Sequence, residues 1–274
     1  MSGNRTILVS PLAWAVPAVS LIGFVFVWLN GINQDFFLWL NELGRGEFSK
    51  IVWANITILG DTLVAIALLS PFARKRPDII WALLIAAVFA TLWVHGLKPL
   101  IGNLRPAAVL SSDVIHIIGV TLHKGSFPSG HTTTAFTLAG VICLSRLHPA
   151  IMITAIMLAI LAGFSRAVVG AHWPMDIFAG AFGGWLAALI GVLLFKKLAL
   201  CKSWADPVSN QNPSQIPGRM FFYVGLLLIT SYLFIHDSGY PTSQPFQIIV
   251  AIICISVIAI NFWYVFKTEK TTTQ

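Results

Sequence analysis

Charge is scarce in this chain. Asp, Glu, Lys and Arg make up 10% of the 274 residues, 57% are hydrophobic, and mean hydropathy is +0.83. Soluble globular domains carry about 25% charged residues, so that class is excluded and the sequence reads as an integral membrane protein. Cysteine is rarer still: Cys143, Cys201 and Cys254 all fall in or beside apolar segments, which indicates no outward-facing disulfide. Metal-ligand Cys/His spacing is missing, as is a glycine-rich nucleotide loop, so no metal or other cofactor is expected. The first apolar segment lacks the small-residue cleavage site of a signal peptide. It ends in Trp28-Leu29-Asn30, so it reads as a retained first helix.

Long apolar runs are what the chain has in place of charge. A hydrocarbon core of ~30 Å needs about 20 mostly apolar residues per helical crossing. Segments 11–29, 51–70, 79–97, 130–147, 150–167, 174–195, 220–236 and 246–266 meet that need. Their continuity points to helices, because barrel strands alternate in polarity over about 10 residues. The expected fold is therefore all-α, a polytopic membrane helical bundle. Segment 33–48 is too short and too charged to cross. Phe36, Phe37, Trp39 and Leu40 against Asp35, Glu42 and Arg45 suit an amphipathic helix at the interface, with an ordinary loop as the alternative.

Orientation follows from the lysines and arginines of the loops. With eight crossings and both termini cytoplasmic, Arg5, Arg74, Lys75, Arg76, Arg146, Lys196, Lys197, Lys202, Arg219, Lys267 and Lys270 lie inside. Arg45, Lys50, Lys98, Arg105, Lys124 and Arg166 lie outside. Leaving aside the three outer cations that belong to the motifs described next, the ratio is eleven to three. The net charge of +7 thus sits at the inner face, against anionic lipid, and calls for no nucleic-acid partner.

Three polar clusters interrupt the apolar background: Lys98-x6-Arg105-Pro106, Pro128-Ser129-Gly130-His131, and Ser165-Arg166-x5-His172-x3-Asp176. The topology puts all three on the outer side. A phosphate monoester carries nearly two negative charges, and Lys98, Arg105 and Arg166 supply the matching field, the arginines through forked contacts. Pro106 restricts the backbone of Arg105. Ser129 and Gly130 stand at a loop-to-helix junction where backbone N–H groups bind anions, with Ser129 as a cap. Four residues apart, His172 and Asp176 share a helix face, and Trp173-Pro174 puts His172 just before the helix start. A carboxylate on one ring nitrogen fixes the tautomer and leaves the other free to attack phosphorus. His131 remains as the acid that protonates the departing oxygen.

The three clusters resemble the tripartite signature of the type 2 phosphatidic acid phosphatase (PAP2) superfamily, in its membrane lipid-phosphatase branch. The match runs through Lys98, Arg105 and Pro106, then Pro128 to His131, then Ser165, Arg166, His172 and Asp176, with no departure, and covers about residues 50–195. The resemblance implies a six-helix core, metal-independent chemistry and a phosphohistidine intermediate on His172. Residues 1–200 then form the catalytic membrane core, and 201–274 a polar linker and two additional C-terminal helices without catalytic residues. The expected partner is a lipid phosphate drawn from the bilayer, at the outer face of an inner membrane. Candidates are undecaprenyl pyrophosphate, as the lead, phosphatidylglycerol phosphate, phosphatidic acid and the phosphates of lipid A. Transfer of the phosphoryl group to another lipid, and a transporter whose charges line a path, are the alternatives.

Taken singly, Lys98, Arg105 and Arg166 also fit as snorkelling interfacial anchors, and Asp176 as a structural partner to one of them. Joint occurrence weakens that reading. His95, His116, His123, His148 and His236 match no motif position and read as loop or packing residues, His116 and His123 lying near enough to touch substrate. Asp61 reads as an unpaired intramembrane acid at a helix end. Loop 107–127 reads as a surface loop by default, or as a lid over the site.

Overall fold

The computed structural model describes residues 7–198 and 216–270. The body of the linker, Arg5, Cys201 and Lys202 lie outside them. The described residues form α1 (Pro11–Asn30), α2 (Asn33–Glu42), α3 (Glu47–Thr57), α4 (Thr62–Ala67), α5 (Pro77–Ile101), the short α6 (Pro106–Val109), α7 (Gly130–Leu144), α8 (Pro149–Val168), α9 (Pro174–Lys197), α10 (Ile216–Tyr232) and α11 (Gln244–Lys270). Among the described residues the fold is all helical. Five stretches are long and apolar enough to cross a membrane: Pro11–Asn30, Pro77–Val109, Pro149–Val168, Pro174–Lys197 and Pro241–Tyr264. The chain is a multi-pass membrane protein.

Three expected crossings are not among these five, one of them 220–236, which falls on the 17-residue α10. Segment 51–70 is bent by 65° at Asp61, between the stretches 47–60 and 62–72. The cause is local: the Asp61 carboxylate accepts from the N–H groups of Leu63 (2.8 Å) and Val64 (3.3 Å), starting a new helix inside the apolar run. Nor is Asp61 unpaired, since its other oxygen lies 3.2 Å from His236 Nε2. Segment 130–147 forms a helix of only 15 residues.

The bundle is organised around α9, which packs against α7, α5 and α1. Such approach in an apolar medium rests on small residues at the contacts. Gly184 and Gly180 show it, since a Cβ there would lie 2.3 Å from the Thr133 carbonyl and 2.7 Å from that of Ser129. Fully buried Trp185 donates to the Ala13 carbonyl (3.1 Å), and Trp93 to that of Ala179 (3.1 Å), tying α9 to α1 and α5. At the opposite end, Arg76 forks onto Asp78 (2.9 and 2.7 Å) and reaches the Ser145 carbonyl (3.0 Å), joining the start of α5 to the end of α7. The carboxylate raises the Arg76 pKa above its usual value.

In the segment 33–48 the first helix ends at Glu42, and Glu47 and Phe48 already belong to α3. Phe37 and Leu40 point into the protein while Trp39 is exposed, the expected amphipathic division. Asn41 is its structural centre. Its amide donates to the carbonyls of His116 (2.7 Å) and Val168 (2.9 Å) and accepts from His116 N–H (2.7 Å). Loop 107–127 is accordingly no free surface loop: Ile115, Ile118 and Ser126 are buried, and the Ile118 N–H donates to the Val169 carbonyl (3.1 Å).

Candidate active site

Four helix ends and one loop converge at the same end of the bundle. Lys98 lies in the last turn of α5 and Arg105 at the start of α6, where its extended backbone (φ −80°, ψ 162°) is the one a residue before proline adopts. Ser129 caps α7, its hydroxyl accepting from the Thr132 N–H at 3.4 Å and from the Thr132 hydroxyl at 2.9 Å, as read from sequence. Gly130 and His131 open that helix, half-buried. Arg166 lies in the last turn of α8, and the chain folds back so that the Ala171 and His172 N–H groups donate to the Arg166 carbonyl (2.9 and 3.1 Å). Gly170 makes this return possible: its φ is +80°, and a Cβ would lie 2.7 Å from the His116 carbonyl. Trp173 then stands at the N-cap position of α9, and Pro174 occupies its first turn.

Asp176 organises the third cluster. Its Oδ2 accepts from the Ser126 hydroxyl (2.5 Å) and the Trp173 N–H (3.0 Å), and lies 3.4 Å from His172 Nδ1, long for a hydrogen bond. On the other side of the ring, Arg105 Nη1 stands 3.2 Å from His172 Nε2. A guanidinium can only donate, so Nε2 presents its lone pair and the ring proton belongs on Nδ1, facing the carboxylate. His172 is buried. Burial, followed by the fields of Arg105, Arg166, Lys98 and His131, holds its pKa well below the usual histidine range, so the ring is neutral near pH 7.

The three cations have neutral partners. Lys98 Nζ donates to the Gly125 carbonyl (2.7 Å). Arg105 donates to the carbonyls of Lys124 (3.0 Å), Ala171 (3.0 Å) and Gly125 (3.3 Å). Arg166 Nη1 donates to Thr57 Oγ1 (2.6 Å) and the Tyr240 hydroxyl (2.7 Å), while its buried Nε has no hydrogen-bond partner among the described residues. Three positive charges thus face one carboxylate, and the excess awaits an anion. Beside His131 opens a cavity of about 640 Å³ with a mainly apolar lining that includes Leu69, Leu83, Val94, Leu138 and Ile229.

Every residue assigned from sequence is at this end. The hydrogen bonds join Arg105, His172 and Asp176 directly, and Lys98 to Arg105 through the shared Gly125 carbonyl. Neither His116 nor His123 presents its ring to that network: the first packs by Asn41 and Glu42, and the second contributes its carbonyl to the Arg105 N–H (2.9 Å). Sequence reasoning missed Ser126, Thr57 and Tyr240. Ser126 sits two positions before Pro128, but a serine so placed carries no signal of its own. Thr57 and Tyr240 are remote in the chain and become neighbours of Arg166 only on folding.

A helical membrane bundle that gathers two histidines, a carboxylate and three cations at one end defines a membrane-embedded phosphatase. The chain belongs to the PAP2 superfamily, whose family model matches residues 78–199. It is 37% identical over 203 residues to the lipid A 1-phosphatase of Rhizobium etli, covering 63% of this chain and 87% of that protein. An undecaprenyl-diphosphatase of Sulfolobus acidocaldarius is 31% identical over 163 residues, 59% of this chain and 68% of that protein. The crystal structure of Aquifex aeolicus LpxE is similar at 29% identity with a TM-score of 0.54, over 58% of this chain and 94% of that one. The protein is a lipid phosphatase of the membrane.

Proposed function

We propose that this phosphatase removes a phosphate from a lipid whose tail stays in the bilayer, with the 1-phosphate of lipid A as leading substrate. The observation that carries the lipid reading is the apolar cavity lined at its polar end by Gly130 and His131, in a bundle whose same end gathers three cations with neutral partners. The likeness to the Rhizobium protein supports the choice of lipid A. Undecaprenyl pyrophosphate, the lead from sequence, is the second reading, favoured by the likeness to the Sulfolobus protein.

In this reading a phosphate oxygen takes over the Arg105 donor now resting on His172 Nε2, and the freed lone pair attacks phosphorus. The bond from phosphorus to the lipid oxygen breaks as His131 gives that oxygen a proton. Water then attacks the phosphohistidine, giving a proton to His131, so that the phosphorus–nitrogen bond breaks, orthophosphate leaves and both rings return to their starting states. Lys98, Arg105, Arg166 and the backbone at Ser129 and Gly130 hold the charge that develops on the transferring oxygens.

A phosphate-release panel with purified protein in detergent tests this. Lipid A is expected to give the highest kcat/KM among lipid A, undecaprenyl pyrophosphate, phosphatidic acid and phosphatidylglycerol phosphate. A maximum on undecaprenyl pyrophosphate moves the assignment to the second reading, and phosphate appearing on an acceptor lipid instead of in water makes the protein a transferase. Because side-chain cations hold the phosphate, activity is expected to persist in EDTA, and vanadate is expected to inhibit competitively. Loss of activity in EDTA with recovery on adding magnesium contradicts the mechanism.

With the eight crossings read from the sequence, the eleven-to-three charge asymmetry supports cytoplasmic termini and a site on the outer face of an inner membrane. With the native cysteines replaced by serine or alanine, single cysteines in loop 107–127 are expected to react with an impermeant thiol reagent in intact spheroplasts. Cysteines at 73–77 should react only after permeabilisation. The reverse pattern places the site in the cytoplasm.

A further inference from the structure

The family match ends at residue 199, before the α10–α11 hairpin, and the sequence gives that hairpin no catalytic residue. The hairpin loop nevertheless reaches the active site at three points. His236 Nε2 lies 3.2 Å from Asp61 Oδ2, at the bend beside His131. The Val120 N–H donates to the Gly239 carbonyl (3.1 Å), fastening the loop to segment 107–127. The Tyr240 hydroxyl accepts from Arg166 Nη1 at 2.7 Å, and the guanidinium stands over the tyrosine ring, 5.7 Å from its centroid.

We infer that Tyr240 is a positioning residue for phosphate binding: from the C-terminal hairpin it holds the Arg166 guanidinium in the orientation that presents Nε to the substrate phosphate. Arg166 is buried and has no acidic partner in hydrogen-bonding contact among the described residues, so its direction is set by the two hydroxyls that share Nη1, those of Thr57 and Tyr240. Both are neutral, so they fix the fork without neutralising its charge. Occupying Nη1 leaves Nε as the buried, unpartnered donor. Tyr240 is itself buried and held: its carbonyl accepts from the Ser243 N–H (2.9 Å) and hydroxyl (2.8 Å). A tyrosine fixed by its backbone can act as a stop for a mobile arginine, because a forked cation loses much of its binding advantage when free to rotate. The added helices therefore belong to the phosphate site.

The inference rests on the phosphatase reading, and the test separates the two. Tyr240→Phe keeps the ring and its packing and removes only the hydroxyl. It is expected to lower kcat/KM about tenfold and weaken vanadate inhibition by a similar factor, the scale of one hydrogen bond to a charged group. The melting temperature should stay close to that of the parent, with both proteins assayed well below it. In an Arg166→Ala background the same substitution should change kcat/KM by less than about twofold, because the two residues act through one contact. Inorganic phosphate is also expected to raise the melting temperature of the parent more than that of Tyr240→Phe. That readout survives even if no lipid in the panel is a substrate, so a wrong substrate and a wrong role for Tyr240 give different results. Parent-like kcat/KM, vanadate inhibition and phosphate protection in Tyr240→Phe, or equal losses in the two backgrounds, overturn the inference.

Discussion

Replacing His172 with alanine is expected to lower kcat by roughly a thousandfold or more, as losing a covalent nucleophile does. The ring lies between Arg105 Nη1 (3.2 Å from Nε2) and Asp176 Oδ2 (3.4 Å from Nδ1), a geometry that leaves one lone pair toward the cations and one proton toward the carboxylate. Because the ring is buried, its removal also leaves a cavity and takes one contact each from Arg105 and Asp176, so a lower melting temperature should accompany the loss of turnover. Retention of more than about a tenth of parental activity by a folded variant excludes His172 as nucleophile. The same geometry sets a pH dependence. Protonation removes the lone pair, so activity is lost as pH falls through the His172 pKa, which burial and the neighbouring cations hold well below 6.5. The acid limb of kcat/KM, which reports the free enzyme, should therefore lie well under pH 6.5. Replacing Arg105 by methionine should move that limb upward. A parental limb at ordinary histidine values, unmoved by the substitution, contradicts a neutral His172 held by its cationic neighbours.

The second large effect is expected from Asp176→Asn, a loss in kcat of about a hundredfold to ten-thousandfold. The Oδ2 that faces His172 Nδ1 also accepts from Ser126 and Trp173. An amide in its place either turns its oxygen to these donors with no charge to steady an attacking imidazole, or turns its NH2 to Nδ1 and reverses the tautomer. Ser126→Ala should cost far less, since it removes one donor and leaves the carboxylate. Normal kcat in a folded Asp176→Asn protein shows that the carboxylate supports only the cap of α9.

Much of the architecture was legible because its physics is local in the chain. Apolar run length set the membrane class and the approximate spans, and the spacing of Trp173-Pro174 placed His172 just ahead of α9, where it is found. Ser129 as the cap of α7 follows from a short polar residue before an apolar helix. The bend at Asp61 was less legible. An acid in an apolar run can snorkel, pair or cap, and hydropathy does not distinguish them. Loop 107–127 was opaque for the same reason: whether Ile115 and Ile118 bury depends on Asn41, which lies 75 residues from its partner His116.

By itself the sequence determined the class of the molecule and the identity of its charged residues. Cations, histidines and carboxylates are so costly in a membrane that three ordered clusters of them announce a site. Only the tertiary structure decided how those groups are aimed. It put the Arg105 donor on His172 Nε2, brought Ser126 to Asp176 from 50 residues away, and brought Tyr240 to Arg166 from 74 residues away. Orientation is fixed by hydrogen bonds between segments that meet only when the helices pack, and no local pattern records such contacts.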